Sequence, residues 1–510
     1  MTMHIEAGPR LTPLQVGPVA AGLLPWISIA ILFAAAIVLR HLLAANTDVS
    51  WLLTVGERVL DGQRLYVDVF ETNPPMAVLV YMPGIAIARA LGLPAEVVTD
   101  SLMFAAIFVS LAIVARILKN SSVLEDGKSW LTPLAFAVLA IVPMQAFGQR
   151  EHIAIVELLP QLAVYAVRMK GKAPSGWMAV IAGCGAGLAV SFKPHFAIGI
   201  FCAAGCLAIY ARSWKAVFAP ENLIAVAITL LSATSVIAFF PEFFTVAGPL
   251  VRDVYLSVGL SFLALLEKPA LPIWGVAILA TIVLKRHDKI DAACLLLLVT
   301  SLGFAAVFFL QRRGWPYHSY PMIALVLLAL SYALVSSTPH TALDRALRAG
   351  AIVLYAILLA RSMLWFDVAF DARPLQAAVA RLGPNPRILA ITAEPGLGHP
   401  LVRALSGTWV LRQQGLWVEA YLEYMRRHGV IGPQAGPTLD AYAARERAML
   451  IEDINRIRPS VILVDNLTGN WSAWLQSHPD VSSLLSGYQL AETINGIDIL
   501  KCVDACSSRS

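Results

Sequence analysis

The chain has 510 residues, 58% of them hydrophobic and only 14% charged, and a mean hydropathy of +0.70. A soluble globular domain carries about 25% charged residues, so this balance excludes one and predicts a multi-span membrane protein. The net charge of +5 gives no sign of a nucleic-acid partner, and what informs is where Lys and Arg fall along the chain.

The first apolar run, 22–43, is longer than a signal-peptide core and reads as a retained span rather than a segment cleaved near Ala44 and Ala45. It ends at the polar stretch 46–76, which is rich in carboxylates. Within that stretch 49–60 puts Trp51, Leu52, Val55, Val59 and Leu60 near one helical face and Glu57, Arg58 and Asp61 on the other. This predicts a helix lying in the membrane interface, stopped by Gly62 and followed by Asp68, Glu71 and the stiff Asn73-Pro74-Pro75. Segment 76–91 is apolar but interrupted by Pro83 and Gly84, and is predicted to be a second juxtamembrane or re-entrant helix.

Further apolar segments at 97–117, 131–148, 152–168, 177–192, 196–211, 222–240, 269–284, 291–310, 319–336 and 349–366 bring the total to about eleven spans. Alternate loops are basic: Arg116, Lys119 and Lys128; Arg168, Lys170 and Lys172; Arg212 and Lys215; Lys285, Arg286 and Lys289; Arg345 and Arg348. The positive-inside rule makes these cytoplasmic. The opposite, outer side then carries 48–76, the turn 148–152, the turn 193–195, the loop 241–268 and the segment 311–318. Nearly all chemically capable residues fall there. Cys184, Cys202, Cys206 and Cys294 lie in apolar runs and read as core residues; Cys502 and Cys506 pair only if the C-terminus faces an oxidising compartment.

From 367 onward the composition becomes that of a soluble domain. Segments 387–392, 461–465 and 496–503 read as strands and 416–428 and 441–456 as helices, so an α/β domain is expected over 367–510 behind a transmembrane domain over 1–366. With an odd number of spans and the N-terminus inside, that domain is extracytoplasmic. The glycines after its first strand fit a plain βα turn better than a phosphate loop.

The candidate chemistry gathers on the outer face. Asp48 either caps the interfacial helix, a duty Thr47 shares, or acts as a catalytic acid; two further acids and a double proline in the same loop favour catalysis. Glu71 precedes a pinned backbone that fixes its direction. Gly148-Gln149-Arg150-Glu151-His152 packs a cation, an acid and an imidazole into one turn, more polarity than a turn requires, although interfacial anchoring is the plain alternative. Lys193-Pro194-His195 separates two spans. Arg312, Arg313, Tyr317 and His318 form the densest outer cationic cluster, placed against the charge bias, and guanidinium groups suit bidentate phosphate binding.

A first span ending at Asp48, an outer loop of the form G-x-x-x-Y-x-D then E-x-N-P-P (Gly62, Tyr66, Asp68, Glu71, Asn73, Pro74, Pro75), a polar second outer turn and a soluble C-terminal domain together resemble the GT-C superfamily of membrane glycosyltransferases, which includes protein O-mannosyltransferases and bacterial lipid A aminoarabinose transferases. The resemblance implies a hexosyl- or pentosyltransferase of the bacterial inner membrane. Such an enzyme takes a polyprenyl-phosphate-sugar donor among the membrane lipids and inverts at the outer face, with a glycan, lipid or protein acceptor. Residue by residue, Asp48 matches the first-loop catalytic acid and Glu151 stands where the second-loop acid is often Asp. Arg150, Lys193, Arg312 and Arg313 are then expected to hold the donor phosphate, with Glu71 as a further catalytic candidate and His152, His195, Tyr317 and His318 as substrate contacts. No Asp-x-Asp pair occurs, so no obligatory metal or other cofactor is expected. A lipid-linked saccharide flippase or a non-catalytic envelope assembly protein remains the alternative; a flippase should show internal repeats and mid-span polar residues.

Overall fold

In the computed structural model the described residues are 18–43, 46–120, 129–288, 290–431 and 435–503. Ala44, Ala45, Lys128, Lys289 and Cys506, each part of an expectation above, lie outside them. The protein is an α-helical polytopic membrane protein with a C-terminal α/β region. Among the described residues seven helices are long and apolar enough to cross a membrane: Leu23–Leu42, Ala95–Lys119, Arg150–Met169, Pro220–Phe239, Ala292–Gln311, Pro316–Ser336 and Ala342–Phe366. The other expected spans fall on the shorter apolar helices Leu131–Ala140, Gly176–Phe192, Pro194–Tyr210 and Ala270–Leu284.

Two segments differ from their expected form for local reasons. The helix begun at Leu131 stops at Ala140 rather than running to 148. Pro143 removes a backbone donor, and Met144 and Gly148 both take positive φ (46° and 75°), so the chain closes in a 3₁₀ turn, Met144–Ala146. The segment 76–91 forms two short helices, Met76–Leu79 and Met82–Leu91; its break falls before Pro83, which occupies the first turn of the second helix where its missing N–H is harmless.

The helix expected at the interface is Thr47–Leu60, and its surroundings are protein. Val49 through Gly56 are buried all round, so no lipid-facing stripe exists over this half. Its polar face docks the C-terminal region. Arg403 donates from Nη1 and Nη2 to Glu57 at 2.7 and 2.9 Å and also pairs with Glu96, while Arg58 donates to the backbone oxygens of Leu411 and Trp409. Phe70 N donates to Arg412 O at 2.6 Å. Accordingly Trp51, Leu52 and Leu53 share one apolar core with Leu397, Val402 and Trp409, separate from the core of the helical bundle.

The C-terminal region holds a mixed five-stranded sheet of β1 (Arg387–Ile391), β2 (Thr408–Trp409), β3 (Val461–Asp465), β4 (Tyr488–Ile494) and β5 (Ile497–Cys502), ordered β2-β1-β3-β5-β4. β1 runs parallel to β2 and β3; β5 is antiparallel to β3 and β4. The central strand β3 is buried at every residue, whereas the edge strand β4 is mostly exposed. Asn495 and Gly496, both at positive φ, make the tight β4–β5 turn. Helices Trp417–Arg427 and Gly436–Arg456 pack beside the sheet through Leu422 and Leu450. Cys184, Cys202 and Cys206 are half-buried and Cys294 is buried, all four as free thiols.

Candidate active site

A cavity of about 440 Å³ lies where the first loop, the ends of several helices and the C-terminal region meet. Asp48, Glu71, Arg150, Lys193, Tyr317 and His318 line it, although they are scattered through more than half the chain.

Asn46 decides the state of Asp48. It is the N-cap of helix Thr47–Leu60: its Oδ1 accepts from the backbone nitrogens of Asp48 and Val49 at 2.8 and 3.3 Å, so neither Thr47 nor Asp48 performs that duty. Asn46 also donates to Gln145 O at 2.7 Å and accepts from Gln149 Nε2 at 2.5 Å, tying the helix start to the polar turn 145–149. The Asp48 carboxylate is left with two long contacts, Gln149 Nε2 at 3.4 Å and Arg150 Nη2 at 3.5 Å, and its side chain is 25% exposed. It is a lightly held acid facing a cavity.

Arg150 opens helix Arg150–Met169, directly after Gly148, whose φ of 75° turns the chain. The residue is only 2% exposed, yet its Nε and Nη1 have no hydrogen-bond partner among the described residues. Such a group costs several kcal/mol unless something pairs with it, and a buried guanidinium with open donors is a site for an oxyanion. Lys193 sits in the extended break between helix Gly176–Phe192 and Pro194. Its ammonium is ion-paired with Glu151, lies 3.4 Å from His318 Nε2 and stands 5.6 Å from the Tyr317 ring centre. His318 Nε2 is itself 3.7 Å from Glu151, and its buried Nδ1 has no partner among the described residues.

The remaining expected site residues have other work. Glu151 is fully buried behind Lys193 and does not line the cavity. Glu71 does line it, but its carboxylate accepts from Trp51 Nε1, Thr72 Oγ1 at 3.2 Å, Asn73 N at 2.9 Å and Asn73 Nδ2 at 2.5 Å, which fastens the loop before the double proline. His152 accepts from Gly148 N at 3.0 Å through Nδ1 and donates from Nε2 to Leu139 O at 2.8 Å; both nitrogens brace the turn, away from the cavity. His195 stacks edge-on to Phe196 and is not part of the lining. Arg312 is exposed at a φ of 54° and donates to Leu260 O at 3.2 Å. Arg313 donates to Tyr255 O and lies flat on the Tyr255 ring at 3.6 Å, with Tyr421 at 5.6 Å, so its charge meets a carbonyl and π-faces behind the wall.

The other wall was not anticipated. The C-terminal region contributes Glu394, Gln414, Trp417, Tyr421 and Tyr424, and the segment after helix Pro220–Phe239 contributes Tyr255. Burial raises the pKa of Glu394, partly offset by the bond its Oε1 accepts from Gly396 N at 2.9 Å; the nearby carboxylates of Asp465 and Asp48 raise it further. A signal for this wall exists in the sequence: Trp417, Tyr421 and Tyr424 are spaced i, i+4, i+7, one face of a helix. Among the described residues no group of three or more His, Cys, Asp or Glu is placed to hold a metal ion.

No protein-family model matches the sequence, and comparison with curated proteins finds no match. The fold, however, is shared with a solved structure, ArnT from Cupriavidus metallidurans bound to undecaprenyl phosphate, with a TM-score of 0.56 over 94% of this chain and 99% of that one, at 14% sequence identity.

Proposed function

We propose that this chain is an inverting membrane glycosyltransferase that moves a sugar from a polyprenyl-phosphate donor to an acceptor hydroxyl, with the cavity as its active site. The observation that carries the reading is Arg150: a buried guanidinium with two unpartnered nitrogens, beside a lightly held carboxylate, in a chain with the fold of a protein solved with undecaprenyl phosphate bound.

In this reading the donor phosphate accepts hydrogen bonds from Arg150 and Lys193. Asp48 takes the proton of the acceptor hydroxyl. That oxygen attacks the anomeric carbon from the face opposite the phosphate, the bond from carbon to phosphate oxygen breaks, and polyprenyl phosphate departs with its charge held by the two cations. Inversion follows from the single displacement. Glu151 holds Lys193 in place through their ion pair, and Glu71 holds the loop that bears the catalytic end of the cavity. The alternating basic loops support a cavity, and a C-terminal domain over 367–510, on the extracytoplasmic side of a bacterial inner membrane. The cavity's place at the ends of the helices suits a donor whose tail stays among lipids while its head reaches water.

The test is transfer of labelled sugar from a panel of polyprenyl-phosphate sugars by the purified protein in lipid nanodiscs, wild type against Asp48→Asn. Turnover reduced by about 10²–10⁴-fold with donor binding intact is the expected result. Equal turnover in the variant removes Asp48 from the chemistry, and no turnover from any donor by wild type refutes the glycosyltransferase reading.

A further inference from the structure

We infer that the cavity wall built by the C-terminal region is a saccharide subsite for the acceptor, so that the group receiving the transferred sugar is itself on a carbohydrate; the acceptor role, though not the subsite, rests on the glycosyltransferase reading above. Three features of that wall converge on a neutral polyhydroxyl ligand.

Trp417, Tyr421 and Tyr424 present one aromatic stripe of helix Trp417–Arg427, and none is fully packed away: the first two are half-buried and Tyr424 is 43% exposed. Tyr255 extends the stripe, its ring centre 6.5 Å from Trp417 and 5.9 Å from Tyr421. Arg313 covers one face of Tyr255 and His428 stacks on one face of Tyr424 at 4.1 Å, which leaves Trp417, Tyr421 and the opposite faces to take the apolar C–H face of a sugar ring, the electron-rich face meeting polarised C–H bonds. The same lining holds a donor and an acceptor: among the described residues the amide nitrogen of Gln414 is buried without a partner and the Glu394 carboxylate has no ion pair. A sugar hydroxyl both donates and accepts, so an amide and a carboxylate lining one cavity can satisfy the hydroxyls of one saccharide. Finally, the C-terminal lining contains an acid and no Lys or Arg, which disfavours a second phosphate and leaves the anionic donor to the Arg150 end.

The platform is held rigidly. Glu446, from helix Gly436–Arg456, accepts from Val418 N at 3.1 Å, Glu419 N at 2.9 Å and Gln413 Nε2 at 2.8 Å, fixing the first turn of the aromatic helix. At Gly415 a Cβ would stand 2.9 Å from Thr392 O, so the chain between Gln414 and Trp417 sits against the end of β1 in a way only glycine permits. A prepositioned stripe loses little freedom on binding.

The experiment uses saturation-transfer NMR on the full chain in nanodiscs with three probes, maltotriose, chitotriose and mannotriose, and in parallel measures transfer of labelled sugar from the polyprenyl-phosphate donor panel by wild type. Saturable binding of at least one trisaccharide is expected, weakened about tenfold or more in Tyr421→Ala and in Gln414→Ala and retained in Tyr421→Phe. Binding by none of the three, or binding indifferent to both alanine variants in protein whose thermal unfolding is unchanged, overturns the subsite. So does preferential binding of a Ser/Thr-rich peptide at these residues. Transfer without saccharide binding sinks the subsite alone; saccharide binding without transfer from any donor keeps the subsite and sinks the glycosyltransferase reading.

Discussion

Two pairs of cations on the chain invite the same role and have opposite surroundings. Arg312 and Arg313 are adjacent, sit against the charge bias of the loops and look like the stronger phosphate site. Arg150 and Lys193 belong to two separate polar turns, one cation in each. Yet Arg313 is occupied by a backbone carbonyl and aromatic faces, and Arg312 lies exposed, while Arg150 is buried with donors unused and Lys193 lines the same cavity. Cation density along a sequence thus says little about which donors the fold leaves open. What decides is whether the fold has already satisfied the donors.

The largest effect expected of this contrast is at Arg150. Arg150→Ala removes the open donors and should lower kcat/KM for the lipid-phosphate donor by about 10²–10³-fold, measured by labelled-sugar transfer. Arg150→Lys should recover little, because a point charge lacks the planar fork. Next comes Lys193→Met, which loses activity and also leaves Glu151 buried and unpaired, at a cost of about 3–5 kcal/mol in stability. Adding Glu151→Gln should restore most of the thermal stability and none of the activity; recovery of both would assign the pair a purely structural role. Arg313→Ala should be milder, about 1–2 kcal/mol by denaturation, with a rise in acceptor KM as Tyr255 and Tyr421 loosen. The smallest effect is expected of Arg312→Ala, within about 0.5 kcal/mol and with kinetics unchanged. A kinetic loss at Arg312 as large as that at Arg150 would reverse the comparison.

Much of the fold is readable in the sequence because it is periodic and apolar: the helices, β1 and β3, and the change of composition near 367 all follow from local pattern. The first loop is also legible, since Asp48 and the Glu71-to-Pro75 run differ sharply from their apolar flanks. Within the polar turns the residue types are visible but their duties are not. Arg150 and His152 stand two apart, and only the fold tells that one keeps free donors while the other braces Gly148 and Leu139. The surroundings of Arg313 are hidden for the same reason: its partner Tyr255 is 58 residues away. The interfacial helix was legible as a helix but not in its surroundings, because the partners of Glu57 and Arg58 are Arg403, Trp409 and Leu411, brought there by docking of a distant region. The aromatic wall depends on that docking too. Its i, i+4, i+7 spacing marks a face and says nothing of what the face meets.

Whether the open guanidinium of Arg150 receives the donor phosphate is tested by a cryo-EM structure of the protein in nanodiscs with polyprenyl phosphate bound. Phosphate oxygens are expected about 2.7–2.9 Å from Arg150 Nε or Nη1, with Lys193 alongside and Asp48 facing the reacting end. Phosphate density at Arg312 and Arg313, with Arg150 still unpaired, would contradict that assignment.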